Sequence, residues 1–277
     1  MKNLIKRALT GIIFVGVLVG AIYFSPYTFL AVFTGITGLL LWEFYGLVKQ
    51  HAGAQPQRLI GSVGGAYLFL ATFLYAHGIG NGVVFLPYLL FLMYIFIGEL
   101  YYKASNPIHN WALTLLGQIY CAGTFSLLNF IVLTGGNGQN VSYYPLFILA
   151  IFVFIWLNDT GAYVVGSSLG KRKLFPRISP KKSWEGFYGG MVLALASSQA
   201  FAWFDPAISW YNWLGLSAIV VLFGTWGDLT ESLLKRTFGV KDSGTMIPGH
   251  GGILDRFDSL LLAIPAAYIY IELFIRN

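Results

Sequence analysis

Charge is what this sequence has least of. Only 10% of its 277 residues are Asp, Glu, Lys or Arg, against about 25% in an average soluble domain. Its 17 basic and 11 acidic side chains cannot cover a water-soluble fold of this length. Disorder is excluded by the same scarcity, because disordered chains are polar and rich in charge. Cysteine is nearly absent as well. Cys121 stands alone in an apolar run, which rules out an intramolecular disulfide and a thiolate metal site. No His-Glu-x-x-His and no Gly-x-Ser-x-Gly occurs, and Gly166 and Gly170 ahead of Lys171 are too close together for a P-loop. No repeat of fixed period and no low-complexity linker interrupts the chain. With 57% hydrophobic residues, the remaining solvent for most of this protein is lipid.

What is present confirms that reading. A helix needs about 20 apolar residues to cross the hydrocarbon core, and nine segments qualify: 8–24, 27–48, 59–77, 83–102, 111–134, 144–166, 186–204, 211–230 and 258–275. The expected fold is all-α, a single polytopic membrane domain over 1–277, mainly apolar helices over 1–150 and the polar chemistry over 151–277. Lys2, Lys6 and Arg7 precede the first apolar run like the start of a signal peptide, but no small-x-small cleavage site follows. The segment is expected to stay as the first helix. Placing the N-terminus in the cytoplasm puts 16 of the 17 Lys and Arg on one side, with only Arg276 opposite, as the positive-inside rule requires. The net charge of +6 is then a matter of topology, and nucleic acid is not needed to explain it.

The acids are unevenly spread. Residues 1–150 hold only Glu43 and Glu99, whereas 159–258 hold eight of the 11. The two early glutamates read as hydrogen-bonded packing groups. Ionisable groups within spans are costly and mark function by default. Asp159 lies inside the sixth span, Asp228 near the cytoplasmic end of the eighth, and Asp255 and Asp258 at the start of the ninth. All four are expected at one membrane face. Asp228, Ser232 and Lys235 fall at i, i+4 and i+7 of one helix stripe, and Asp255 and Asp258 at i, i+3. Ordinary ion pairs (Glu231 with Lys235, Asp255 with Arg256) and helix caps would account for these residues one at a time. Four aspartates on one face instead repel unless a cation lies among them. Hard oxygen ligands without cysteine or a histidine cluster suit Mg²⁺.

The basic segment from Gly170 to Gly186 carries Lys171, Arg172, Lys173, Arg177, Lys181 and Lys182. The first three serve as a topology anchor or a patch for anionic lipid. Ser179, Pro180, Lys181, Lys182 and Ser183 make a shaped turn ahead of a helix, a combination that binds phosphate. The cluster Gly249, His250, Gly251 and Gly252 reads either as an anion-accepting backbone or as a plain turn.

The run from Ser232 to Asp258 resembles the signature of the phosphatidate cytidylyltransferases (CDP-diacylglycerol synthases). The matching positions are Ser232, Lys235, Arg236, Lys241, Asp242, Pro248, His250, Gly251, Gly252, Asp255, Arg256 and Asp258. Upstream, 158–163, Gly170 with Lys171, and 179–186 are similar too, although Ser183 stands where threonine is more usual. The resemblance is specific over about residues 150–277. It implies a multi-span enzyme of the inner (plasma) membrane, often a homodimer, facing the cytoplasm and joining CTP to phosphatidate with release of pyrophosphate. It also implies Mg²⁺ with a second cation such as K⁺. On this chain, Asp228 and Asp255 would be metal-centre residues with Asp258 and Asp159 close by. Asp228, Asp255, Asp258 and Lys235 would carry catalysis. Lys171, Ser179, Lys181, Lys182, Ser183, Ser232, Arg236, Lys241, His250, Gly251, Gly252 and Arg256 would bind substrate. A CTP-dependent polyprenol kinase would share much of such a site, and a cation-coupled transporter would also need intramembrane aspartates. A CDP-alcohol phosphotransferase would need an Asp-Gly-x-x-Ala-Arg pattern, which is missing.

Overall fold

The computed structural model describes residues 2–102, 106–135, 141–247 and 251–277, with side chains from Leu9 onward. All nine expected apolar segments are helical over most of their length, though Leu133–Thr134 is extended and 258–259 is a turn. Long helices are α1 (Lys2–Phe24), α2 (Pro26–His51), α3 (Arg58–Ala76), α4 (Leu86–Tyr102), α7 (Leu146–Leu169), α8 (Trp184–Phe204) and α9 (Trp210–Thr237). Helices α5 (Pro107–Gly117) and α6 (Thr124–Val132) are joined through a π-helical turn at Gln118–Gly123 into one rod. The last apolar segment holds α10 (Leu254–Phe257), α11 (Leu260–Tyr270) and a π-helical turn at Ile271–Ile275. Among the described residues, seven of these rods are long and apolar enough to cross a membrane. The other two are shorter or less apolar. The apolar part of α1 is Leu9–Phe24, and α8 carries three glycines, two serines and Gln199.

Two short antiparallel hairpins were not anticipated. Strands β1 (Leu133–Thr134) and β2 (Ser142–Tyr143) form one. Strands β3 (Lys173–Phe175) and β4 (Ser179–Ser183) form the other, inside the basic segment.

The helices gather into two compact units. One comprises 1–145 with 238–256, the other 146–237 with 257–277. In the first, Ser25 caps α2 by accepting from the Tyr27 amide at 3.2 Å, with Pro26 at the first helical position. Serine at the cap and proline at the first turn suit a helix start, since the cap oxygen takes up an orphan amide and proline has none to satisfy. Its core is aromatic, with Phe29, Phe33 and Phe69 fully buried and in ring contact. Some of its buried polar side chains are tied off internally, as lipid demands. Gln118 donates to the Tyr45 hydroxyl and to the Gly61 carbonyl, each at 2.7 Å, and Tyr45 donates onward to the Thr114 carbonyl at 2.8 Å.

The second unit depends on glycine. A Cβ on Gly161 of α7 would lie 2.9 Å from the Gly189 carbonyl oxygen and from the Gly190 Cα of α8, and one on Gly186 would lie 2.8 Å from the Ala162 carbonyl oxygen. Small residues let membrane helices approach backbone to backbone, where dispersion supplies the attraction that water cannot. Gly227 of α9 meets the turn before α11 in the same way, 2.7 Å from the Asp258 carbonyl oxygen. Gly161→Val is therefore expected to force α7 and α8 apart at a cost of about 1–3 kcal/mol. A thermal-shift measurement in detergent should show a fall of several degrees, and an unchanged melting temperature would remove this account of the crossing.

Candidate active site

Within the second unit, α7, α8, α9 and the β3–β4 hairpin surround a cavity of about 440 Å³. Its wall is backbone where α7 meets α8, at Ala162, Gly166 and Gly186. Its polar side chains include Asn158 and Asp159 on α7, Lys173, Lys181 and Lys182 on the hairpin, Thr225 and Asp228 on α9, and Ser259 just before α11.

The hairpin is held at both ends. Glu185, in the first turn of α8, accepts from the backbone amides of Lys171 at 3.1 Å and Arg172 at 3.2 Å. The Trp184 amide donates to the Arg172 carbonyl at 2.9 Å. Ser183 caps α8, its hydroxyl oxygen accepting from the Gly186 amide at 3.1 Å, which leaves its own proton to donate. These bonds fix the direction from which Lys181 and Lys182 enter the cavity. Ser179 pairs with Phe175 at the far end of the ladder.

Asp228 is the junction of the cavity. The Lys182 ammonium lies 2.5 Å from its Oδ2, and the Ser232 hydroxyl donates to its Oδ1 at 3.2 Å. Two members of the expected α9 stripe thus meet. The third, Lys235, is drawn instead to Glu231, at 2.5 Å from a carboxylate with no exposed surface. Asp258 accepts from the Ser259 amide at 2.6 Å and lies within electrostatic reach of Asp228, Asp159 and Lys235. Asp228 and Asp159 therefore both act on Asp258 within one unit. Arg236 donates to the Ile178 carbonyl at 3.4 Å.

Asp255 belongs to the first unit. Its carboxylate accepts from the Ser243 amide at 3.0 and 3.2 Å and from the Gly252 amide at 2.8 Å. Gly251 has φ +85°, in the left-handed region that suits glycine. A Cβ there would stand 2.8 Å from Asp255 Oδ2. Lys241 and Arg256 are exposed. His250 lies outside the described residues.

Residues 5–274 match the model of the cytidylyltransferase family. The chain belongs to that family. Among curated relatives, the phosphatidate cytidylyltransferase of Bacillus subtilis (strain 168) is 50% identical over 138 residues, which is 49% of this chain and 51% of that protein. The Staphylococcus aureus (strain COL) phosphatidate cytidylyltransferase is 52% identical over 120 residues, 43% of this chain and 46% of that protein. These matches thus span about half the length of either relative. A phosphatidate cytidylyltransferase of Haemophilus influenzae is 33% identical over 295 residues, covering 96% of this chain and 98% of that protein.

Two residues do more in the structure than the sequence reading assigned to them. Asn158, beside Asp159, lines the cavity while 7% exposed, and its Oδ1 has no hydrogen-bond partner among the described residues. A buried amide in a spanning helix was signal enough to include it. Glu43 is the hydrogen-bonded packing group that the sequence suggests, but its partners were not foreseen. It is buried in α2 and accepts from Ser243, Ile253 and Leu254, some 200 residues away in sequence.

Proposed function

We propose that this integral membrane protein transfers the cytidylyl group of CTP to phosphatidate, giving CDP-diacylglycerol and pyrophosphate. The observation that carries the reading is the meeting of Asp159, Asp228 and Lys182 in one glycine-walled cavity, with Asp258 in electrostatic reach, in a chain of this family. A phosphatidate oxygen would attack the α-phosphorus of CTP as the bond to the β-phosphate oxygen breaks. A phosphomonoester has its second pKa near 6, so the nucleophile is already an anion at neutral pH and needs no general base. The protein's task is to hold two polyanions together and stabilise charge on the leaving pyrophosphate.

The residues are suited to that work. Lys182 and Lys181 enter over the cavity as phosphate ligands, the Ser183 hydroxyl has a proton to donate, and Asn158 offers a buried acceptor for a substrate N–H or O–H. In the signature loop, Asp255 is taken as a further catalytic carboxylate on the strength of the family resemblance. Among the described residues, no three carboxylate, imidazole or thiol groups stand close enough to ligate one ion directly. Mg²⁺ does not require that, since it is commonly bound through one or two carboxylates plus substrate phosphates and water. Asp228 and Asp159 or Asp258 fit such a role. When bound, the ion would neutralise charge on the transferring phosphoryl group. A second cation such as K⁺, a homodimer, nine spans and an inner-membrane site facing cytosolic CTP belong to the same proposal. The cytoplasmic placement is supported by the 16-to-1 sorting of Lys and Arg.

The test is product identity. Detergent-purified protein with α-labelled CTP, phosphatidate and Mg²⁺ should move label into lipid and release pyrophosphate. Label remaining in CDP, with a phosphorylated lipid, would assign a kinase instead. Lys182→Ala should raise the KM for CTP about 10-fold or more, since a hydrogen bond to a charged group contributes about 1.5–3 kcal/mol. An unchanged KM would return the hairpin to a topological role.

A further inference from the structure

Glu43 is a charged side chain in the apolar run of α2, 5% exposed. An acid so placed is tolerable only if its oxygens are well supplied with donors, and all those seen come from the signature loop. Oε2 accepts from the Ile253 amide at 2.9 Å. Oε1 accepts from the Leu254 amide at 3.0 Å and from the Ser243 hydroxyl. Two glycines leave it room. A Cβ on Gly244 would lie 2.9 Å from Oε2, and one on Gly252 would fall on Oε1. The same Ser243 that gives its hydroxyl to Glu43 gives its amide to Asp255. Ile253 and Leu254 are the two residues immediately before Asp255. Glu43 thus grips the backbone on one side of Asp255 and, through Ser243, a second stretch of the loop whose amide holds its carboxylate.

We propose that Glu43 is a positioning residue for the signature loop: its carboxylate sets the conformation in which Asp255 is presented, and its loss slows turnover without loss of the fold. The proposal rests on the reading that Asp255 serves catalysis. A misplacement of about 1 Å can cost about 10²-fold in rate, and a group acting in the transition state shows in kcat more than in KM.

Two readouts on detergent-purified full chain test this. They are steady-state kinetics of CDP-diacylglycerol formation and hydrogen–deuterium exchange over 251–256 against α7 and α9. Glu43→Ala should lower kcat about 100-fold with the KM for CTP within about threefold. Exchange at Ile253 and Leu254 should rise about tenfold or more, with α7 and α9 unaltered. Glu43→Gln keeps one acceptor oxygen but turns an N–H group toward a donor, so an intermediate loss of about tenfold is expected. If Glu43→Ala does not fold, Glu43→Gln decides the matter. Faster exchange confined to the loop with reduced kcat supports positioning, while a uniform rise in exchange, or normal kcat, overturns it. Glu43→Ala with normal kcat beside an inactive Asp255→Asn would overturn only the role of Glu43. Normal turnover by Asp255→Asn, or no CDP-diacylglycerol from the unaltered chain, would instead remove the functional reading on which it rests.

Discussion

Asp228→Asn is expected to lower the rate of CDP-diacylglycerol formation by about 10²–10³-fold, the usual loss when one preorganised electrostatic group is removed from an active site. The substitution keeps size, and its amide oxygen can still accept from Ser232. What disappears is the negative charge that holds Lys182 at 2.5 Å and stands within reach of Asp258. Lys182 loses its partner, and any cation at the cavity loses a ligand. The fold should survive, because losing the attraction to Lys182 is offset by losing the repulsion from Asp258, and Asp228 is only partly buried. Activity and melting temperature should therefore separate, the first collapsing while the second moves by a few degrees at most. Turnover near the unaltered level would remove Asp228 from the chemistry. A parallel collapse of both would make it a structural residue.

Removal of divalent cations should be as severe. CTP and phosphatidate together bring several negative charges to a cavity that already holds Asp159 and Asp228, with Lys182 committed to one of them. Lysines alone do not balance that sum, so chelation with EDTA is expected to reduce activity more than about 100-fold, with recovery on adding excess Mg²⁺. Ca²⁺ should restore less, since it prefers more ligands at longer distances. A reading independent of turnover is available. Ligand binding to the native state raises stability in proportion to ln(1 + [L]/Kd), so Mg²⁺ should raise the melting temperature of the unaltered protein and do so less for Asp228→Asn. Full activity in EDTA would exclude a divalent ion from the proposal.

The apolar segments were plain in the sequence because lipid requires long uninterrupted runs. The aspartates announced themselves by being charged where charge is expensive. Their partners were less legible. Spacing put Lys235 in line with Asp228 and equally offered it Glu231 as an ordinary ion pair; the side chain takes the second partner, since a stripe narrows the choice of neighbours without deciding it. The β3–β4 hairpin was hidden because lysine, serine and proline carry little strand propensity, and its pairing is secured by Glu185 from the following helix. Glu43 reads correctly as a hydrogen-bonded packing group, but its partners were hidden for a different reason. The groups it serves are distant in sequence, and nothing in Leu-Trp-Glu-Phe records that a loop will close over it.

The glycine-to-glycine crossing of α7 and α8 also bears on how this cavity could change over generations. Where a pocket is walled by side chains, single substitutions can widen, narrow or repaint it. Here Gly166 and Gly186 put main chain at the surface of the cavity, and a Cβ on Gly186 would collide with the opposite helix. A small molecule designed to rest on that wall would therefore meet a surface that resistance mutations cannot readily reshape, because the change that dislodged it would also part the helices.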